Sequence, residues 1–173
     1  MGWVESERDP DSAYRAMPRI DPGKLDEHYA TLTYEVGIFM MEHLRRINRE
    51  FRGDFALAMV LGEIAHHNTR QLVREVIPRS GKSAARFAKD EPFDAHFRRC
   101  NALSVAEASG IPRETVRRKV AKLEDMGLVE RDESGGLAIT RKVGRHFRGF
   151  DRETLDDLVA LAEKVRATAG RED

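Results

Sequence analysis

Apolar residues recur every three or four positions along two long stretches in the first half of the chain, which is the spacing of one face of an α-helix. The first stretch runs from Leu25 to Phe51 and the second from Phe55 to Ile77. Gly53 separates them, Asp54 is suited to cap the second helix, and Pro78 is expected to end it. The pattern therefore predicts two long helices joined by a tight turn.

A shorter helical pattern occupies the third quarter of the chain. Small and apolar residues from position 104 precede Gly110, which supplies the backbone freedom for a turn, and Pro112 fits the first turn of a following helix. In that helix Val116, Val120 and Leu123 are spaced i, i+4 and i+7 and form one apolar stripe. We therefore predict a helix, a tight turn and a second helix.

The other side of this second helix is charged, because Glu114, Arg118 and Lys122 repeat every four residues. Two short apolar-rich runs follow, at residues 128–131 and 137–140. The polar loop between them, Asp132-Glu-Ser-Gly-Gly136, has two glycines and suits a β-hairpin. The hairpin would follow directly after the charged helix.

These elements, in this order, resemble the winged helix-turn-helix transcription regulators of bacteria, broadly the MarR-like, GntR-like and IclR-like repressors. The resemblance rests on Ser104-Val-Ala-x-x-Ser-Gly-Ile-Pro-x-x-Thr-Val-x-Arg118, on Leu123-Glu-x-x-Gly127-Leu-Val and on Thr140 at the end of the hairpin. It covers residues 104–142. It implies a mainly α fold with a small β-hairpin wing, in which the second helix of the pair enters the major groove of duplex DNA.

The resemblance also implies which residues contact DNA. Arginine can pair with guanine O6 and N7, a carboxylate can accept from cytosine N4, and threonine can contact a thymine methyl group or a phosphate. Lysines further along the helix and the tip of the wing suit the sugar-phosphate backbone. The implied DNA-binding residues are Arg113, Glu114, Thr115, Arg117, Arg118, Lys119, Lys122, Arg131, Ser134 and Gly135. Asp132 and Glu133, also at the wing tip, would oppose a phosphate.

The flanking segments predict a homodimer. Residues 1–23 carry prolines and charges without a sustained period, which predicts a disordered arm. The helix over residues 24–53 and a final helix over residues 150–173, which Asp151 could cap, are the expected dimerisation elements. Between them, residues 54–149 are expected to form the DNA-binding domain, with a loop insertion near residues 78–92.

The core of that domain needs a helix ahead of the helix-turn-helix pair. Residues 55–76 have a strong apolar stripe, whereas residues 93–99 are dense in charge. We therefore expect the longer helix to close the core.

Charge limits where a nucleic acid could bind. Charged residues are 35% of the chain, yet the formal net charge is +0, so the protein is not uniformly basic. From Ala84 to Gly149 there are fourteen Lys and Arg against ten Asp and Glu, an excess of four positive charges. Any nucleic-acid surface is therefore local.

Two other functions are compatible with the sequence. A basic helix face is often merely solvated, and winged helices also serve as protein-docking modules, so the helix could bind an acidic protein. The second alternative is a metal- or ligand-dependent sensor centred on Glu63 and His66, although a carboxylate metal site of that kind needs a second such pair. A small-molecule effector of unknown type is compatible with all three functions.

Catalytic, redox and membrane signals are weak. Cys100 is the only cysteine and has no zinc-ligand spacing. No Ser/His/Asp or Cys/His arrangement stands out, so we predict no enzyme and no cofactor. No apolar run approaches the roughly 20 residues that span a bilayer, and no signal peptide is recognisable. We therefore expect a cytoplasmic protein without membrane partners.

Overall fold

Helices make up most of the described chain, and two short strands form a small antiparallel sheet. The computed structural model describes residues 20–83, 86, 89, 90, 92 and 94–170. In chain order its elements are α1 (Pro22–Glu27), α2 (Tyr29–Glu50), α3 (Phe55–Gln71), a π-helical turn (Leu72–Val76), α4 (Ile77–Ser80), α5 (Ala102–Ser109), α6 (Arg113–Asp125), β1 (Val129–Arg131), β2 (Leu137–Ile139), α7 (Arg141–His146) and α8 (Arg148–Ala169). The prediction of a mainly helical chain with one small hairpin is confirmed.

The chain divides into two compact units. The first contains the described residues up to Met41 and those from Leu155 onward, and the second is Glu42–Thr154. Helices α5 and α6 and the hairpin all belong to the second unit. The arm predicted over residues 1–23 lies outside the described residues up to position 19.

The first helical stretch begins earlier than its apolar pattern indicated and is interrupted once. Asp21 caps α1 by accepting a main-chain N–H of the first turn at 3.0 Å, and Pro22 follows at the start of the helix. His28, with φ −108° and ψ 16°, then separates α1 from α2. The helix predicted over residues 25–51 is therefore two helices.

The helical path after α3 continues past Pro78, so the prediction that this proline ends the helix is wrong. The N–H of Ile77 donates to the carbonyl of Leu72, five residues back, and closes the π-helical turn. This wider turn lies directly before Pro78, whose missing N–H and bulky ring disfavour a regular α turn. The path ends at Gly81, which adopts φ 65°.

The hydrophobic core of the second unit lies where α3, α5, α6 and the hairpin meet. Helix α3 contributes four of the buried side chains, which confirms that the longer helix closes the core. The predicted apolar stripe of α6 is fully buried against it. The buried core residues are Leu57, Val60, Leu61, Ile64, Cys100, Val105, Val116, Val120, Leu123, Leu128, Val129, Leu137, Ile139 and Phe147.

The turn between α5 and α6 has the predicted glycine but a different role for its proline. Gly110 ends α5 with φ 68°. Pro112 is the N-cap residue, with φ −54° and ψ 135°, and α6 begins one residue later at Arg113. The Val116 N–H donates to the Pro112 carbonyl at 3.0 Å. Pro112 therefore precedes the helix instead of lying in its first turn.

The segment after the hairpin is the short helix α7. Thr140 caps α7 by accepting the N–H of Lys142 at 3.2 Å. The final helix, α8, then begins at Arg148, so Asp151 lies in its first turn and is not its cap. Phe147, buried in the core, stacks on Phe51 with ring centroids 5.6 Å apart.

Candidate nucleic-acid interface

Helix α6 is fixed along one side and open along the other. Val116, Val120 and Leu123 have no exposed surface and anchor the helix to the core. Arg117 and Arg118 are exposed on the sides of the helix turned away from this stripe, and Arg113 is exposed in the first turn, three residues before Val116. Because burying three apolar side chains opposes rotation of the helix about its axis, the direction in which the arginines point is set by the core.

The exposed side of α6 carries few compensating acidic groups in its first half. Arg117 lies 3.5 Å from Glu114, and both side chains are mostly in solvent. Within the described part of the chain, neither Arg113 nor Arg118 has an ion-pair partner. The expected base-contacting arginines are therefore all accessible to solvent, and Thr115, three residues before Arg118, is half-buried.

Ala121 belongs to the exposed side of α6, although sequence reasoning did not nominate it. It is exposed and follows Arg117 by four residues, so the two share one side of the helix. An alanine carries no charge to draw attention, but this spacing could have identified it. A small side chain here lets the helix axis approach a flat or concave partner closely.

Lys119 and Lys122 point toward the beginning of α3. The ammonium group of Lys119 lies 2.7 Å from one Asp54 carboxylate oxygen, and the ammonium group of Lys122 lies 3.2 Å from the other. The Lys119 side chain is only 16% exposed. The structure therefore places Lys119, expected at a phosphate, in an ion pair within the protein, while Lys122 remains 54% exposed.

Asp54 links α3 and α6, because it caps α3 and is the counter-ion of Lys119 and Lys122 on α6. As predicted, it caps α3, accepting the Leu57 N–H at 3.0 Å. Burial alone would raise the pKa of its carboxyl group, but the hydrogen bonds from Lys119, the Leu57 N–H and Lys122 outweigh burial and lower the pKa. The ionised form of Asp54 is thus the one that the fold stabilises.

The first strand of the hairpin is tied to α6 at its loop end. Arg131 donates two hydrogen bonds to Glu124, at 2.9 and 3.0 Å, and these bonds raise the pKa of the guanidinium group. On the neighbouring strand edge Arg99 lies 2.9 Å from Glu130 and 3.5 Å from Asp132. Arg131, an expected wing contact, is therefore engaged inside the protein.

The hairpin tip is organised by Asp132. One carboxylate oxygen accepts from the Ser134 hydroxyl and the Gly136 N–H, both at 2.7 Å, and from the Ser134 N–H at 3.0 Å. The bond from the Ser134 hydroxyl is the largest cause of the lowered pKa of Asp132. Gly135 has φ 85° as the turn requires, and Glu133 is exposed. The tip is acidic and internally bonded, and Ser134 is already used in that network.

Asn68 holds the hairpin to α3, and sequence reasoning missed it. This side chain is fully buried. Its amide nitrogen donates to the carbonyls of Arg98 and Leu137, at 2.8 and 3.1 Å, and its oxygen accepts the Ile139 N–H at 2.9 Å. Asn68 follows Ile64 by four residues, so a polar residue on the apolar stripe was the available signal.

The remaining candidates are the pair Glu63 and His66, considered for metal binding, and the single cysteine, Cys100. Glu63 is half-buried and His66 exposed, and within the described ranges no three His, Cys, Asp or Glu side chains lie together as a metal site would require. Cys100 is buried, and this burial raises the pKa of its thiol to about 11. Its thiolate is therefore scarce at neutral pH. In the same described ranges, no helix is long and apolar enough to cross a membrane.

Comparisons of the chain with protein-family models, with curated proteins and with solved structures found no match. The geometry and charge of the chain itself are therefore the basis for a function.

Proposed function

We propose that the protein is a transcriptional regulator that binds duplex DNA as a homodimer. The second unit acts as a winged helix-turn-helix domain, in which α5 and α6 are the helix pair and the hairpin is the wing. Helix α6 enters the major groove, whose width admits an α-helix.

One observation carries the proposal. Arg117 and Arg118 are exposed on the open sides of a helix whose other side is fully buried, and Arg113 is exposed in its first turn. Guanidinium groups on the exposed side of a helix suit both the phosphates at the groove edges and the guanine acceptors on its floor. The net charge of the chain is +0, so this local face, and not a general excess of positive charge, supplies the attraction.

The groups on the helix divide into two roles. Arg117 and Arg118 contact base edges, with Glu114 and Thr115 beside them as further base contacts. Lys122 contacts a phosphate, whereas Lys119 supports the helix through Asp54. The wing contributes little affinity because its tip presents Glu133 and Asp132. This division assigns sequence preference to the first half of α6.

The homodimer is supported by the apolar surface of the first unit. Tyr34, Ile38 and Met41 are spaced by four and three residues on α2 and are 69%, 43% and 49% exposed. On α8, Leu155, Leu158 and Val159 are also exposed. Clustered apolar side chains of this kind mark interaction surfaces. A second copy covering this surface would present two α6 helices to half-sites about 34 Å apart, one turn of the duplex.

Selection from a random pool of duplex DNA tests the proposal. The immobilised chain is expected to enrich a pseudo-palindromic sequence with half-sites about ten base pairs apart. The same selection with Arg117→Ala/Arg118→Ala should enrich no sequence, while Arg45→Ala/Arg49→Ala removes two exposed charges outside α6 and should behave as the wild type. If the wild type enriched no duplex and instead captured an acidic protein, DNA binding would be contradicted and the protein-docking function would take its place.

A further inference from the structure

A solvent-open cavity of about 430 Å³, lined by exposed side chains, lies beside the end of α3 in the second unit, away from the residues assigned above to DNA. It is lined by His67, Arg70, Gln71, Arg74, Glu75 and Arg98. The first three residues come from the last turn and a half of α3, the next two from the π-helical turn, and the last from the segment that precedes α5. Its volume is in the range of small-molecule sites, about 300 to 1,000 Å³.

The charge of this cavity selects an anion. Among the described lining residues, three guanidinium groups accompany one carboxylate, that of Glu75, which is an excess of two positive charges without counting His67. Gln71 and His67 add further hydrogen-bonding groups. Guanidinium groups bind phosphate and carboxylate through paired hydrogen bonds, and several of them around one ligand favour a ligand with more than one negative charge.

The cavity is connected to the hairpin through Asn68. The main chain of Arg98 is held on both sides by this residue: the Arg98 N–H donates to the Asn68 carbonyl at 3.2 Å, and the Asn68 amide donates to the Arg98 carbonyl at 2.8 Å. The same amide contacts Leu137 and Ile139 of β2. A ligand that draws in the Arg98 side chain therefore acts on a residue two hydrogen bonds from the hairpin.

We propose that this cavity binds a small polyanion, carrying phosphate groups or several carboxylates, and that binding stabilises the contact between Asn68 and β2. A concave site suits a small ligand better than the backbone of a duplex, which would meet a flat or protruding surface more easily. The inference does not rest on DNA binding, because both anion binding and its effect on β2 are measured without DNA.

Titration calorimetry at constant ionic strength tests the site, with sodium pyrophosphate and sodium citrate as the two probes. The wild type is expected to bind at least one of them saturably, and the stronger probe decides between phosphate and carboxylate chemistry. Arg74→Ala/Arg98→Ala should bind about a hundredfold more weakly, since each of the two lost charge-assisted bonds contributes about a factor of ten. Both side chains are exposed, so the variant is expected to keep the fold.

The matched control is Arg45→Ala/Arg49→Ala, which removes the same charge outside the cavity and should bind as the wild type does. Equal weakening in the control, or no saturable heat with either probe, would overturn the site. A wild type that binds neither anion, paired with a cavity variant that loses affinity for duplex DNA, would assign the cavity to the DNA backbone instead.

Hydrogen exchange measured by NMR tests the link to the hairpin. The Ile139 amide, whose N–H bonds to Asn68, should exchange more slowly when the wild type is saturated with the anion that it binds. The cavity variant should show no such change. Saturable binding without slower exchange at Ile139 would remove the link.

Discussion

Asn68 is the residue on which the position of the hairpin depends most. It is buried without exposed surface and bonds three main-chain groups that are far from it in sequence. Asn68→Ala would leave at least the Ile139 N–H and the Arg98 carbonyl without these bonds in a water-poor site. We expect it to lower the free energy of unfolding by about 2 to 4 kcal/mol, measured by urea denaturation.

His66→Ala is the control for Asn68→Ala. His66 lies on the same helix but is exposed, so its loss should change the free energy of unfolding by no more than about 0.5 kcal/mol. Equal effects of the two substitutions would show that the Asn68 network contributes no stability.

Asp54 makes a pH-dependent contribution with a definite sign. Its pKa in the fold is below the ordinary value of 3.8, so its contribution is complete above that value and is lost as the pH falls through the folded pKa. At pH 7, Asp54→Asn keeps a capping side chain but removes the ion pairs, and should be less stable by about 1 to 2 kcal/mol. The difference from the wild type should narrow in urea titrations below about pH 4.

Asp125→Asn is the control for the loss of the ion pairs. Asp125 is an exposed carboxylate at the end of α6 and makes no ion pair within the described ranges. Its substitution should change the free energy of unfolding at pH 7 by no more than about 0.5 kcal/mol. If Asp54→Asn changed it by as little, or if its effect did not narrow at low pH, the ion pairs with Lys119 and Lys122 would not be stabilising the fold.

Local spacing predicts which side of a helix is buried, but not what a long polar side chain contacts. Val116, Val120 and Leu123 were identified from sequence because a repeat of three and four requires no knowledge of the partner. Lys119 was assigned to a phosphate because its partner, Asp54, lies 65 residues earlier in the chain. Arg131 was also assigned to DNA, because the turn that brings it to Glu124, seven residues earlier, exists only in the packed hairpin.

Among the elements, the hairpin depends on one close approach in its loop. A Cβ atom on Gly136 would lie 2.6 Å from Asp132 Oδ2, and Asp132 is held in place by the bonds of the loop. Gly136→Ala should therefore distort the loop and lower the free energy of unfolding by about 1 to 3 kcal/mol, measured by urea denaturation.

Gly144→Ala is the matched change, because nothing lies within 4 Å of its added Cβ and the residue is helical. It should raise stability by up to about 1 kcal/mol. If Gly136→Ala left the free energy of unfolding as high as Gly144→Ala does, the loop would not need the glycine.

The sequence predicted elements well where the pattern is local and less well where helices bend or join. The strands and the glycine turns were found because Gly110 and the Gly-Gly pair signal conformations that other residues avoid. The break at His28 was missed, since the apolar spacing continues across it. The π-helical turn was missed as well, because Pro78 signals the end of a regular helix and not the wider turn that accommodates it.

At the scale of the whole molecule, the first unit should control oligomeric state. Ile38 is exposed at the centre of the apolar stripe on α2, so Ile38→Glu would place a charge in the proposed interface between two copies. We expect the wild type to sediment with twice the mass of one chain and Ile38→Glu with the mass of one chain. Analytical ultracentrifugation measures both.

Thr33→Glu is the control for sedimentation, because Thr33 is exposed on α2 but lies off this stripe. It should remain dimeric. A wild type that sediments as a monomer at micromolar concentration would contradict the homodimer.

The central claim is that the open face of α6 binds DNA while Lys119 serves the fold. Fluorescence anisotropy with a selected duplex, between about 50 and 200 mM salt, tests it most directly. Affinity should fall steeply with salt, Arg117→Ala/Arg118→Ala should bind about a hundredfold more weakly, and Lys119→Ala should bind within about twofold of the wild type. Binding that is insensitive to salt, or an arginine variant that binds as the wild type does, would contradict the account.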